Sequence, residues 1–213
     1  MMGRPTKPLI YLLGFIFGTG FIAEQLLAKD GISLSLGFST FRTGQEETYD
    51  EGVVKIKTSR STDYNFLDTG FCYTTGGFCI GIKYLSGVLA NQSVQEGVGQ
   101  KNTDTTEVTY SGVAAKVGYM GDTFYLLGSF FANPEKVHIK GEINQIYNIV
   151  SAYSVDLGGS FKIGNNLRFG PMLSSYIFNY DKTSTVVAGQ TVELKRNGSD
   201  NFVVPYFVFL MEI

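Results

Sequence analysis

The chain has 213 residues, enough for one domain of ordinary size, and its net charge of -2 gives it no bulk attraction to nucleic acid. Charged residues make up 17%, below the roughly 25% of a typical soluble domain. The 26 glycines, 13 tyrosines and 17 phenylalanines suit a sheet protein with much apolar or packed surface.

The first 28 residues have the three parts of a secretory signal peptide. Arg4 and Lys7 form a basic start, the apolar run PLIYLLGFIFGTGFIA follows, and Ala28 is a small residue at a plausible cleavage point. The alternative is a transmembrane anchor, but glycines interrupt this run and it is short for a span of about 20 residues. We predict a signal peptide over 1–28 and an exported chain, 29–213, that meets an oxidising compartment.

Alternation with a period of two dominates the exported chain. In GISLSLGFST, Ile32, Leu34, Leu36 and Phe38 share one face, and small polar residues share the other. Such runs predict eight strands, at 31–43, 63–74, 77–89, 105–119, 123–133, 147–163, 167–180 and 201–213. Short turns alternate with long polar connections, which is how transmembrane barrels are built. The long connections are 44–62, 90–104, 134–146 and 181–200.

The short turns predict the hairpin registers. The turn MGDT, with GD at its tip, pairs Tyr119 with Phe124, and the three-residue turn GNN pairs Leu157 with Leu173. In each predicted hairpin one face is apolar, and the other carries Gly, Ser, Asp and Lys. A soluble lipocalin-type barrel would have the opposite arrangement, with a charged outside.

The apolar face is therefore expected to meet lipid, and closure would satisfy the backbone there. We predict an all-β fold, a closed antiparallel eight-stranded up-and-down transmembrane β-barrel. A soluble secreted β-barrel is the alternative. Aromatic residues near the short turns predict one interfacial girdle. They are Tyr73, Phe78, Tyr119, Phe124, Phe161 and Phe169.

The chain resembles the small eight-stranded outer-membrane barrels of Gram-negative bacteria, such as the OmpA transmembrane domain and OmpX. The resemblance covers 31–213 and rests on the leader, the strand count, the turn asymmetry and the last strand, NFVVPYFVFLMEI. In that family the last strand ends in an aromatic residue, whereas this chain ends in Ile213. The resemblance implies a fold and a bacterial outer-membrane location more than an activity, and we expect a monomer.

The inward-facing residues include seven charges that nearly neutralise one another. The interior of an eight-stranded barrel is just wide enough for side chains, so we expect a packed polar core and no open pore. A narrow ion path is the alternative. A four-residue TTGG turn places Asp68 directly opposite Lys83, which predicts a luminal ion pair. The other inward charges are Lys116, Asp156, Lys162, Arg168 and Glu212.

The only cysteines, Cys72 and Cys79, flank this TTGG turn. Their spacing fits neither a redox motif with two intervening residues nor a zinc ribbon. The same register places them directly opposite each other, within reach of a disulfide. We predict a structural disulfide, with two free packed thiols as the alternative.

Catalytic signals are weak in this sequence. The single histidine, His138, is expected in a long loop with no serine close by in sequence, so we predict no enzyme, no cofactor and no metal site. Cations near the outer rim are candidate contacts for lipopolysaccharide phosphates, with solvated loops as the alternative. They are Lys55, Lys57, Arg60, Lys136, Lys140, Lys182, Lys195 and Arg196.

We therefore expect a structural or interaction barrel whose loops bind a surface partner or lipopolysaccharide. A barrel resembling the OmpW group, passing small apolar molecules sideways into the bilayer, is the first alternative. A gap between strands beside a lined cavity would favour it. A lipid-modifying outer-membrane enzyme is the second alternative.

Overall fold

A computed structural model describes residues 30–51, 54–97, 100–141, 143–187 and 190–213. The predicted signal peptide, residues 1–28, lies outside these ranges. Across the described residues, no helix is long and apolar enough to cross a membrane.

The described chain forms ten antiparallel β-strand segments. They are β1 Gly31–Glu51, β2 Val54–Thr75, β3 Phe78–Gly97, β4 Gln100–Met120, β5 Phe124–Phe131, β6 Glu135–Lys140, β7 Ile143–Gly159, β8 Phe161–Lys162, β9 Leu167–Val187 and β10 Gln190–Glu212. Strands β5 and β6 both pair with β4 and with β7, and they fill one position in the sheet. Strands β7 and β8 both pair with β9 and fill another.

The sheet closes on itself as a ring of eight positions. Each position pairs with the next along the chain, and β1 pairs with β10 to complete the circuit. The eight predicted strands therefore exist, although two of them are interrupted, at 132–134 and at Ser160. The predicted up-and-down antiparallel order is confirmed.

The two faces of the ring are as the alternation predicts. The apolar set on β1, which includes Ile32 and Phe38, is 37% to 46% exposed, whereas Ser33 and Ser39 are buried. On β1, small and polar side chains thus face inward and large apolar ones face outward, the reverse of a water-soluble barrel.

The four long connections are not loops, and this corrects the prediction. Strands β1 and β2 stay paired from Gly31↔Thr74 to Glu51↔Val54, through the whole stretch expected to be a loop. The other three connections are likewise strand over most of their length. These segments are mostly polar, apart from residues such as Ile143, Ile146, Val192 and Leu194, so a search for alternating apolar residues largely misses them, although threonine-rich strands pair well.

Two of the three predicted registers are wrong by two residues. The first turn consists of Gly76 and Gly77 alone, with φ of 55° and 81°, the conformation that a two-residue hairpin turn requires. As a result Thr75 pairs with Phe78. Tyr119 likewise pairs with Leu126 rather than with Phe124. A shift of two preserves the face of every side chain.

The register at the turn GNN is confirmed. Leu157 pairs with Leu173, and Asp156 pairs with Ser174. Here the three-residue turn leaves only one register that keeps the apolar residues of both strands on one face.

Gly81 provides a test of the β2–β3 contact. A Cβ at this position would overlap the carbonyl oxygen of Phe71 and lie 2.9 Å from Cys72 Cα, and backbone atoms cannot rotate away. We expect Gly81→Ala to lower the free energy of unfolding by about 1–3 kcal/mol, measured by urea titration of refolded protein.

Gly128→Ala is the matched control, because its Cβ would lie 3.8 Å from the nearest atom, an ordinary contact. Equal stability of the two variants would contradict the close approach at Gly81.

Candidate functional site

A buried ionic cluster fills the middle of the lumen. The Nζ of Lys83 lies 2.8 Å from oxygens of both Asp68 and Asp156, and it donates a hydrogen bond to Ser154 Oγ at 3.1 Å. Asp68 lies on the neighbouring strand but pairs with Leu85, so the long lysine side chain reaches it diagonally. Asp156 comes from the far wall, and hairpin registers could not have identified it as a partner.

Two tyrosines and a second lysine complete this cluster. Tyr176 donates its hydroxyl to Asp68 at 2.9 Å, and its oxygen lies 3.0 Å from that of Tyr206. Lys116 is buried, with its Nζ packed against Gly70. With Lys83, Asp68 and Asp156, it makes a set of two positive and two negative charges. Such a balanced, hydrogen-bonded network rigidifies a core.

A second ionic group closes the end of the ring at the short turns. Arg168 contacts Glu212 at 2.6 Å and Asp122 at 2.6 Å, and it also donates to the Asp122 carbonyl. Lys162, predicted to face inward, is instead exposed. It lies on the two-residue strand β8 beside the turn at 163–166, where the sheet ends.

An aromatic layer fills the lumen beyond the Lys83 cluster. Its ring centroids are 4.9 Å apart for Tyr110 and Phe202, and 5.6 Å apart for Phe66 and Phe202. Phe131 and Phe178, 5.6 Å apart, extend it. The cavity left beside Asp68 and Lys116 has a volume of about 10 Å³, room for about one water molecule. Side chains therefore fill the lumen around the Lys83 cluster and the aromatic layer.

Lys136 lies in a second buried cluster, beyond the aromatic layer. Its Nζ is 2.5 Å from Asp200, which also accepts a hydrogen bond from the Tyr110 hydroxyl at 2.8 Å. The same Nζ lies 3.8 Å from the ring centroid of Tyr147 and 4.3 Å from that of Tyr180. This predicted rim cation is therefore buried and neutralised inside the ring.

The other predicted rim cations divide into paired and unpaired ones. Lys57 pairs with Glu46 at 3.2 Å, and Lys140 pairs with Asp104 at 2.7 Å. Arg60 is exposed, and the Arg196 guanidinium lies 5.9 Å from the Tyr147 ring centroid. The side chain of Lys55 lies outside the described residues. Lys182 and Lys195 are exposed partners in the β9–β10 pair.

His138 lies on β6, not in a loop, where its side chain is half-buried and hydrogen-bonded to Gln145. Burial lowers the pKa of its imidazole below 6.5, and the nearby Lys136, Arg196 and Lys140 lower it further. The ring is therefore neutral at pH 7.

A disulfide joins Cys72 and Cys79, whose Cα atoms are 5.8 Å apart. The predicted direct opposition is wrong, because Cys72 pairs with Gly81 and Cys79 pairs with Thr74. The bridge is therefore diagonal. Both cysteines are buried in the lumen near the short-turn end.

The seam between β1 and β10 is the weakest join in the ring. These strands have 21 and 23 residues, yet they pair only from Ser33↔Glu212 to Phe38↔Phe207. By contrast, β1 pairs with β2 along its whole length. Pro205 lies two residues beyond the last pair, and proline has no amide hydrogen to continue a ladder.

A cavity of about 660 Å³ runs from this seam across β10, β9 and β7 to Phe124 on β5. At the seam it is bordered by Phe38 and Phe207, which face outward, and also by Ser39 and Tyr206, which face inward. Farther from the seam, outward-facing Pro171 and Leu173 line it, so most of the cavity lies along the apolar outer face.

No protein-family profile and no curated protein matches this chain. Its fold is similar to that of the outer-membrane protease OmpT from Escherichia coli, with 9% identity and a TM-score of 0.46, over 90% of this chain and 99% of that one. The outer-membrane protein AlkL has 13% identity and a TM-score of 0.44, over 91% and 96%. The translocator domain of the autotransporter NalP from Neisseria meningitidis has 10% identity and a TM-score of 0.31, over 96% of each chain. Likeness at this level supports no inference about activity.

The charge balance around Lys83 is open to a direct test. Lys83→Met leaves Asp68 and Asp156 buried without their cation, and loss of one partner from a buried ionic group costs about 3–5 kcal/mol. We expect a correspondingly lower free energy of unfolding in urea.

The quadruple variant Lys83→Met, Lys116→Met, Asp68→Asn, Asp156→Asn removes all four charges of the cluster together. It should recover much of the stability lost in Lys83→Met, because no uncompensated charge remains. A quadruple variant no more stable than the single one would contradict this role for the cluster.

Proposed function

We propose that this chain is an integral barrel of the Gram-negative outer membrane, with a closed lumen and a structural or surface-binding role. The observation that supports it is the apolar outer face. Every one of the eight ring positions exposes a large apolar side chain on that face. Examples, from β1 to β10, are Leu36, Phe71, Ile82, Val117, Phe130, Val155, Leu173 and Phe207.

The height of this apolar face fits a membrane. On β9 the outward apolar residues run from Leu167 to Ile177, about 34 Å along the strand. At a strand tilt of about 40° this corresponds to about 26 Å along the membrane normal, close to the ~25 Å apolar band of transmembrane barrels. In lipid, the paired strands would satisfy their own backbone groups.

The packed lumen supports a structural role over a pore. The Arg168 group, the Lys83 cluster, the aromatic layer and the Lys136–Asp200 pair fill it one after another. We propose no catalytic role, since the described side-chain contact of His138 is to the amide of Gln145 rather than to a nucleophile.

The segments beyond the apolar face would carry the surface role. Where the β1–β2 hairpin leaves the apolar face, the outward-facing Arg42 pairs with Asp63, and one contact between these two side chains is 2.6 Å long. From there β1 and β2 continue as a polar hairpin to Glu51 and Val54, and the other hairpins extend similarly. A monomer with these hairpins exposed to lipopolysaccharide and surface ligands, like the OmpA and OmpX barrels, is the arrangement we propose.

Two measurements test this proposal together. Refolded protein should migrate differently in boiled and unboiled gel samples, because a membrane barrel resists SDS until it is heated. A soluble protein with no heat-dependent shift would contradict the barrel. Single-species protein in planar bilayers should show no stable unit conductance, and such a conductance would contradict the closed lumen.

A second candidate function is lateral passage of small apolar molecules, and the seam between β1 and β10 favours it. The residues just beyond the last β1–β10 pair, Ser39 and Tyr206, border the 660 Å³ cavity, whose lining is mostly apolar. Phe41 and Met172 add apolar surface to its wall.

A disulfide lock tests the lateral route. Continuing the β1–β10 register would place Thr40 opposite Pro205, so oxidised Thr40→Cys/Pro205→Cys should close the seam. Uptake of naphthalene by intact cells producing this variant should fall on oxidation and return on reduction.

The control is Leu36→Cys/Phe209→Cys, placed where the strands already pair. It should show no change in uptake. An equal response of both variants, or uptake no faster than in cells without the protein, would exclude lateral passage.

A further inference from the structure

Two lysines form a cationic pair on the outer part of the ring. Lys182 on β9 lies directly opposite Lys195 on β10, and both side chains are exposed. Directly opposed like charges destabilise a strand pair. Neither lysine has an acidic partner within 4.0 Å in the part of the chain that the structure describes.

The lysine pair points away from the lumen. Thr183, the next residue after Lys182, is buried on the inner face, and neighbouring residues in a strand point to opposite faces. Directly opposite residues share a face, so Lys195 also points outward. Asp181, the nearest acid in sequence, accepts a hydrogen bond from Asn148 at 2.7 Å.

The position of Lys182 along β9 fits the headgroup region of the outer leaflet. Lys182 lies five residues beyond Ile177, where the continuous apolar outer face of β9 ends, which is about 17 Å along the strand. With a strand tilt of about 40°, this is about 13 Å along the membrane normal. A lysine side chain can also extend back toward the membrane surface.

Three other cations near the rim have acidic partners within the chain. Arg42 pairs with Asp63, Lys57 with Glu46, and Lys140 with Asp104. The lysine pair is different, because neither ammonium group has such a partner among the described residues, although Glu193 lies two residues from Lys195 on the same strand. Phosphate oxygens are strong acceptors from ammonium groups, and one phosphate can accept from two lysines.

We propose that Lys182 and Lys195 together bind a phosphate group of an outer-leaflet lipid, the phosphorylated glucosamine headgroup of lipopolysaccharide. This inference rests on the proposed outer-membrane location. Of the eight candidate cations in the sequence, Lys182 and Lys195 form this site, whereas Lys57, Lys136 and Lys140 make contacts within the chain.

The test uses the full chain in phosphatidylcholine nanodiscs with lipid A as the probe, and native mass spectrometry counts the bound lipid. Lys182→Gln/Lys195→Gln should weaken lipid A binding about tenfold. Lys182→Arg/Lys195→Arg should retain it. Lys57→Gln/Lys140→Gln, which removes the same charge from lysines that have acidic partners, should change it less than twofold.

Dephosphorylated lipid A separates phosphate recognition from acyl-chain packing. It should bind the native chain as weakly as lipid A binds the Lys182→Gln/Lys195→Gln variant. Equal binding of lipid A by the two glutamine variants, or equal binding of both lipids by the native chain, would overturn the site. A chain that fails to enter nanodiscs would overturn the barrel proposal as well, so the two failures are distinguishable.

Discussion

Hydrogen bonding around a closed ring is the constraint on which the rest of this structure depends. Because each strand position pairs with both neighbours, the outer face can be apolar and still leave the backbone satisfied. The charges of the spanning strands must then lie inside, where Lys83 and Lys116 balance Asp68 and Asp156. The join between β1 and β10 has the shortest run of paired residues in the ring, and the 660 Å³ cavity extends from it along the outer face to β5.

Filling so narrow a lumen depends on glycine as much as on large side chains. A Cβ on Gly87 would overlap the Phe66 ring, and a Cβ on Gly70 would lie 2.7 Å from Ser35 Oγ and close to the Lys116 ammonium group. Glycines in the wall of the ring therefore leave room for long side chains that extend across the lumen. The outcome is a core with layers of ions and aromatic rings.

At the rim, the same types of residue have different roles according to their neighbours. Lys136 is held by Asp200 and two tyrosine rings inside the ring, whereas Lys182 faces Lys195 on the outside. The sequence alone does not distinguish these two kinds of lysine. The paired ones stabilise the hairpins that extend the sheet, and the unpaired ones are available to a phosphate.

The sequence alone determined the faces of the strands, their number and the three-residue turn GNN, because side-chain direction has a strict period of two. A register error of two residues, as at Gly76 and Gly77, does not disturb that period. The tertiary structure alone decided the pairing of polar segments and the place of Asp156 beside Lys83, since both depend on strands distant in sequence. It also decided where β1 parts from β10, because ring closure joins the two ends of the described sheet and no local turn sets their register.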